Sequence, residues 1–94
     1  MKVRSEETRT SMINRLRRVQ GQLGGIETML NEDRECRDVL QQLSAVRSAV
    51  HSAMLAYMEA YISECVLEQM ETSSDRSHRE KLASELIHML EKTT

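Results

Sequence analysis

The stretch from Cys36 to Cys65, the only two cysteines of the chain, most constrains the fold. In an α-helix each residue turns by about 100°, so Cys65 returns to within roughly 20° of Cys36. The residues on or close to the line between them are Leu40, Leu43, Val50 and Met54, and those that widen it on one side are Val39, Val46, Ala53 and Tyr57. The pattern predicts one long helix whose broad apolar stripe must pack against protein.

The two cysteines lie too far apart on this helix to bond to each other. At about 1.5 Å per residue they are separated by roughly 44 Å along the axis, whereas a disulfide needs Cα atoms within about 7 Å. Two copies packed antiparallel through their stripes would place Cys36 of one copy beside Cys65 of the other. We therefore expect a two-thiol site at each end of a dimer, although a free cysteine can also be a small buried hydrophobe.

The length and the charge of the chain restrict how it can form a core and which partners it can bind. The 94 residues make a single domain, 1–94, with neither Phe nor Trp, so a stable core is expected to need other copies of the chain. The net charge of -2 argues against nucleic acid, but four arginines and no acidic residue lie between positions 9 and 25. The interpretation is a basic N-terminal surface on an acidic body, which fits either DNA binding or a solvated helix face.

The first residues contain no apolar signal core, and no run approaches the roughly 20 apolar residues of a membrane span. We therefore expect a cytoplasmic protein without a membrane partner, in which paired thiols are reduced and are reactive or metal-binding. No set of nucleophile, base and orienting group is recognisable, so we do not expect an enzyme.

The absence of Pro and of β-branched runs favours an all-α fold of three helices. The predicted caps are Thr8 or Thr10 for the first helix, Asp33 for the second, which runs to about Met70, and Ser77 with Glu80 for the third. A polar stretch, residues 71 to 75, separates the last two helices.

Two segments carry a family resemblance. Residues 15 to 26, RLRRVQGQLGGI, followed by Cys36 and by residues 38 to 46, DVLQQLSAV, resemble the copper-sensitive operon repressor (CsoR) family over nearly the whole chain. The resemblance implies an all-helical protomer, an antiparallel dimer and a disc-like tetramer. It also implies binding to double-stranded operator DNA, whose phosphates we expect Arg15, Arg17 and Arg18 of the first helix and Arg47 of the second to contact. It further implies release of that DNA when a ligand or reactant meets the thiol site between subunits.

The residue at position 61 separates the subgroups of this family. Copper sensors use a Cys, His, Cys set that maps to Cys36, position 61 and Cys65, but this chain has Tyr61. Nickel, cobalt and formaldehyde sensors need that His as well, together with an N-terminal His or Pro, which Val3 and the absence of Pro do not supply. Two cysteines without the His are similar to the persulfide-sensing members, the CsoR-like sulfurtransferase repressors (CstR).

This similarity implies a repressor without a cofactor or resident metal. Inorganic polysulfide or a low-molecular-weight persulfide would cross-link Cys36 of one subunit to Cys65 of another and release the DNA, with Tyr61 near the site. Two alternatives stay open. The chain could sense Cu(I), a soft ion that accepts low coordination, through Cys36 and Cys65 alone, or it could be a helical thiol protein without a DNA role.

Overall fold

A computed structural model describes residues 2 to 72 and 75 to 93. Its helices are α1 (Glu6–Asn31), α2 (Cys36–Tyr61), a π-helical segment (Ile62–Val66), α3 (Leu67–Thr72) and α4 (Arg76–Thr93). Because α2, the π segment and α3 follow one another without a break, they form one rod, which is the predicted second helix. Within the described ranges there is no strand, so the predicted all-α, three-helix protomer is confirmed.

The first helix begins earlier than its predicted caps. Ser5 has extended backbone, with φ -62° and ψ 124°, and its hydroxyl accepts a hydrogen bond from the backbone N–H of Thr8. Ser5 is therefore the N-cap, and the prediction of Thr8 or Thr10 was wrong. The hydroxyl of Thr8 instead donates to the carboxylate of Glu64, 2.8 Å away.

Asp33 ends α1 and does not cap α2, contrary to the prediction. Its φ of 52° is left-handed, a conformation that the short polar side chain of Asp tolerates. The N–H of Arg34 donates to the carbonyl of Met29 at 3.0 Å and that of Asp33 to Leu30 at 3.3 Å, the bonds of a Schellman C-cap. The N-cap of α2 is Glu35, whose side chain makes no capping hydrogen bond.

The protomer is a single layer of helices. Its α1 and α2 have equal lengths of 26 residues and pack antiparallel, burying Val19 and Ile26 of α1 and Val39 and Ala53 of α2. The extents are 60 × 27 × 12 Å, and the smallest is about the diameter of one helix. The radius of gyration of 18.2 Å exceeds the roughly 12 Å of a compact domain of this length. One protomer therefore cannot cover both sides of its helices.

The apolar stripe of α2 is accordingly divided. Its Val39 and Ala53 contribute to the buried core, whereas Leu40, Leu43, Val50 and Tyr57 are 65%, 45%, 48% and 46% exposed. These four exposed residues, which we call the open stripe, lie within about 100° of one another around α2. A run of large apolar side chains at helical spacing is normally covered by other protein.

Asp75, the residue before helix α4, caps it, two residues before the predicted capping box of Ser77 and Glu80. The Asp75 carboxylate accepts from the N–H of Ser77 at 2.9 Å, and its carbonyl accepts from the N–H of Arg79 at 3.1 Å. Glu80, predicted to be part of the box, lies 3.0 Å from the guanidinium of Arg76 instead. Ser73 and Ser74 of the predicted polar turn lie outside the described residues. Of the helices in the described ranges, none is long and apolar enough to cross a membrane.

Candidate functional site

The two thiols lie at opposite ends of the rod and in different environments. Cys36 is the first residue of α2 and is exposed to solvent, whereas Cys65 lies in the π segment and is 7% exposed. Both are free. Because about 44 Å of helix separates them, they cannot react with each other within one protomer.

Cys65 lies beneath the N-terminal segment of its own chain. Its Sγ donates a hydrogen bond to the backbone carbonyl of Lys2 at 3.4 Å. Beside it opens a cavity of about 710 Å³, lined by Lys2, Arg4, Ser63, Glu64, Cys65, Glu68, Gln69 and Thr72. Cys65 is therefore largely buried, and Lys2 and Arg4 of the N-terminal segment border the cavity from which solvent reaches it.

Glu64 is a residue of this site that the sequence analysis missed. Its Oε1 accepts from the N–H of Ser5 at 3.2 Å, and its Oε2 accepts from the hydroxyl of Thr8 at 2.8 Å. A carboxylate at this position also interacts favourably with the positive end of α1. The available signal was weak: an acidic residue within the apolar run of Ile62, Cys65 and Val66.

Tyr61, the last residue of α2, is half-buried and lies about one turn before Cys65. A phenol is a poor ligand for a soft metal ion, so this position does not supply the nitrogen that would complete a Cys, His, Cys set. Within the described part of one chain, no three His, Cys, Asp or Glu residues lie close enough to hold a metal ion. The thiolate donors on the rod are Cys36 and Cys65.

The four predicted DNA-binding arginines fall into separate groups. Arg15, half-buried, and Arg18, exposed, line one groove of about 680 Å³ on α1. Arg47 lines a second open cavity of about 430 Å³ on α2, with Ser48, His51 and Ser52. Arg17 is exposed and lines neither. Across residues 2–72 and 75–93, none of these four arginines forms an ion pair, although Glu6 and Glu7 line the same groove as Arg15 and Arg18.

The antiparallel packing brings the two arginine groups to the same level of the protomer. Ser11 of α1 and Ala56 of α2 line a common cavity, which gives the register of the two helices. In this register Arg47 lies within about one helical turn of the level of Arg18, measured along the axis. Arg18 and Arg47 thus lie near the middle of the protomer's length, between the levels of the two thiols.

Comparison with known proteins decides the family. A family model described as "metal-sensitive transcriptional repressor" matches residues 8–92. The chain belongs to this family. The copper-sensing transcriptional repressor CsoR of Bacillus subtilis (strain 168), one of the family's relatives, is 33% identical over 91 residues, which cover 97% of this chain and 86% of that protein.

Solved structures of related regulators have the same fold. The copper-sensing repressor CsoR with Cu(I) from Geobacillus thermodenitrificans NG80-2 superposes with a TM-score of 0.82 at 26% identity, covering 98% of this chain and 92% of that one. A variant of the formaldehyde-responsive regulator FrmR from Salmonella enterica serovar Typhimurium gives a TM-score of 0.75 at 26% identity, covering 96% and 98%. The family resemblance found in the sequence is confirmed, and the chain is a transcriptional repressor of the CsoR family.

Proposed function

We propose that this repressor binds operator DNA as a tetramer of antiparallel dimers and releases it when reactive sulfur joins Cys36 of one subunit to Cys65 of another. The observation that carries the proposal is the placement of two free thiols at opposite ends of one rod, with Tyr61 beside Cys65. A site made from two such rods contains two thiols and no histidine at position 61. That donor set suits sulfur exchange better than three-coordinate metal binding.

The open stripe supports the antiparallel dimer. Leu40, Leu43, Val50 and Tyr57 extend along α2 and are about half exposed in the protomer. Burial of apolar surface contributes about 25 cal/mol per Å², so covering this face favours association. An antiparallel pair that covers it places the exposed Cys36 of one copy next to Cys65 of the other.

The reaction follows from the exposure of the two thiols. The Cys36 thiolate, at the surface, attacks the outer sulfur of a persulfide R–S–SH, so that the R–S to sulfur bond breaks and R–S⁻ leaves. The Cys65 thiolate of the partner subunit then attacks the Cys36 Sγ and expels HS⁻, leaving a disulfide. If Cys36 carries a longer chain, Sγ–S–SH, the Cys65 thiolate attacks the sulfur next to the terminal one and expels HS⁻, so that one extra sulfur stays in the bridge. The bridge ties two subunits together and favours a tetramer shape that fits DNA poorly.

Binding to DNA is expected to be largely directed at phosphates. Substituting Arg18 with Ala should weaken operator affinity several-fold and reduce the salt slope of binding by about 1 for each Arg18 that contacts a phosphate. Arg34→Ala is a matched control, because it removes the same charge from an exposed residue that pairs with Glu32 at the end of the protomer. Fluorescence anisotropy over a series of salt concentrations measures both quantities. Equal affinity and salt slope for Arg18→Ala and the unaltered protein would remove Arg18 from the interface.

Cu(I) sensing is the second candidate, favoured by the similarity to copper-sensing repressors. Cys36 and Cys65 would hold the ion between subunits, since Cu(I) accepts two thiolates. The ion would supply a bridge between the same two sulfur atoms. Tyr61 leaves this set one ligand short of the Cys, His, Cys arrangement.

The two candidates are separated by one titration. An operator fragment selected by the reduced protein from random DNA is titrated with protein that is reduced, treated with polysulfide, or loaded with Cu(I). We expect tight binding by the reduced protein and release on polysulfide treatment. Release by Cu(I) alone would support the copper sensor instead, and the absence of DNA binding at every salt concentration would contradict both.

A further inference from the structure

Residues 2 to 5, which we call the N-terminal strap, lie against the sensing thiol Cys65. Three hydrogen bonds hold the strap and the start of α1 against the π segment. Glu64 accepts two of them, and Cys65 donates the third. The Cys65 thiol donates to the carbonyl of Lys2 at 3.4 Å, and the Glu64 carboxylate accepts from Ser5 and Thr8 at 3.2 and 2.8 Å. The partners are 56 to 63 residues apart in sequence, so these bonds exist only in the folded chain.

These bonds differ in strength. An S–H group is a weak donor, and its bond to Lys2 is correspondingly weak. The bonds to Glu64 are charge-assisted, and such bonds are roughly twice as strong as neutral ones. The two bonds to Glu64 therefore hold the strap closed, and the hydrogen bond from the Cys65 thiol adds little to the stability of the closed state.

We propose that Glu64 is a positioning residue that keeps the N-terminal strap closed over Cys65 and so sets how fast reagents reach this thiol. Access then requires the strap to open locally, as mobile terminal segments do. The exposed Cys36 has no such cover. The inference rests on the proposed function only in treating Cys65 as a sensing thiol.

A modified Cys65 also changes the strap. Once Sγ bonds to a second sulfur it carries no hydrogen, and its bond to the Lys2 carbonyl is lost. The added sulfur atom also occupies space next to the strap. Opening of the strap and modification of Cys65 therefore favour each other. The last residue of the strap, Ser5, is the N-cap of α1, so a movement of the strap also affects the first turn of that helix.

The test measures the alkylation rate of each cysteine in the reduced, full-length protein without DNA or polysulfide. Iodoacetamide is added, samples are quenched over time, and mass spectrometry of peptides gives separate rates for Cys65 and Cys36. In Glu64→Ala the Cys65 rate should rise about tenfold, because hydrogen bonds to a charged group are lost from the closed state. The Cys36 rate in the same sample should not change.

Two further variants keep the test independent of folding defects. Thr8→Val removes one of the two bonds to Glu64 with little change in shape, and should raise the Cys65 rate by a smaller factor. Glu68→Ala is the matched control, since Glu68 lines the same cavity but is exposed and one turn further along the rod; it should leave the rate unchanged. An unchanged Cys65 rate in both Glu64→Ala and Thr8→Val, or an equal rise for Cys36 and Cys65, would overturn the proposal.

Because this measurement needs neither operator nor sulfur donor, its outcome is independent of the proposed function. Slow alkylation of Cys65 that depends on Glu64 supports the strap even if Cu(I) proves to be the effector. Conversely, polysulfide can release DNA from a protein whose Cys65 rate does not depend on Glu64, in which case the strap proposal alone fails.

Discussion

Replacing Cys36 with Ser should leave repression intact and abolish its response to reactive sulfur. The substitution exchanges sulfur for oxygen at an exposed position on α2, where a change of side chain alters stability by only about 0.5 kcal/mol. The reduced variant should therefore bind operator within about twofold of the unaltered protein. Since a hydroxyl does not attack sulfane sulfur under these conditions, no bridge can form.

The size of the effect follows from the coupling between the thiol site and DNA. Ligands that switch a protein between two shapes typically change affinity for a second ligand by about 5- to 150-fold. We expect polysulfide to weaken operator binding of the unaltered protein within that range and to leave Cys36→Ser unaffected. Operator titration before and after polysulfide treatment gives the two factors.

Gel electrophoresis without reductant provides the control. The unaltered protein should run as a covalent dimer after treatment, and digestion should give a peptide pair in which Cys36 is joined to Cys65, directly or through added sulfur. Cys65→Ser should also lose the covalent dimer but can still form a persulfide on the exposed Cys36. Release of operator DNA by polysulfide-treated Cys36→Ser would show that the bridge is not the signal.

The fold was largely predictable because it depends on local periodicity. The apolar spacing of residues 36 to 65 predicted the long rod, and its end near Met70 lies within two residues of the observed Thr72. Boundaries were less accurate where several residues compete for a cap. Ser5 prevailed over Thr8 since Thr8 is engaged by Glu64, and Asp33 adopted the left-handed conformation that terminates α1.

The environment of Cys65 was not predictable from the sequence. The apolar periodicity predicts a uniform α-helix over residues 36 to 70, whereas Ile62–Val66 is π-helical. A π segment contains an extra residue in the turn, so helical projections that cross it are shifted. The hydrogen bonds that link Glu64 and Cys65 to residues 2 to 8 connect segments that are 56 to 63 residues apart in sequence. No periodicity encodes such contacts, and the difference in exposure between the two thiols is a result of them.

The grouping of the arginines on the surface was also only partly predictable from the sequence. Their sequence cluster suggested one surface of Arg15, Arg17 and Arg18, but consecutive residues of a helix point in different directions. In the structure Arg15 and Arg18, three residues apart, line one groove, while Arg17 does not. Arg47 reaches their level only because α1 and α2 are antiparallel, which follows from the short connection at Asp33.

The largest loss is expected from a charge in the middle of the open stripe. In an antiparallel pair with Cys36 of one copy beside Cys65 of the other, two residues lie at the same level when their numbers sum to about 101. Val50 of one copy therefore lies close to Val50 of the other, next to the two-fold axis of the dimer. Val50→Asp would therefore bury two carboxylates close together, which should reduce the free energy of dimer association by about 3 kcal/mol or more. The variant should be monomeric at micromolar concentration in analytical ultracentrifugation and should lose operator binding.

Leu55→Asp is the matched control, because Leu55 and Val50 are equally exposed at 48% but point about 140° apart on α2. This variant should retain the dimer. A second arm tests the register itself: Val50→Lys alone should also dissociate, yet a one-to-one mixture of Val50→Asp and Val50→Lys should associate, since opposite charges then meet at the axis. Dimers that persist in Val50→Asp, or a mixture that stays monomeric while both variants remain helical by circular dichroism, would contradict this arrangement. In that case the two thiols would no longer be adjacent, and the cross-link between Cys36 and Cys65 would lose its structural basis.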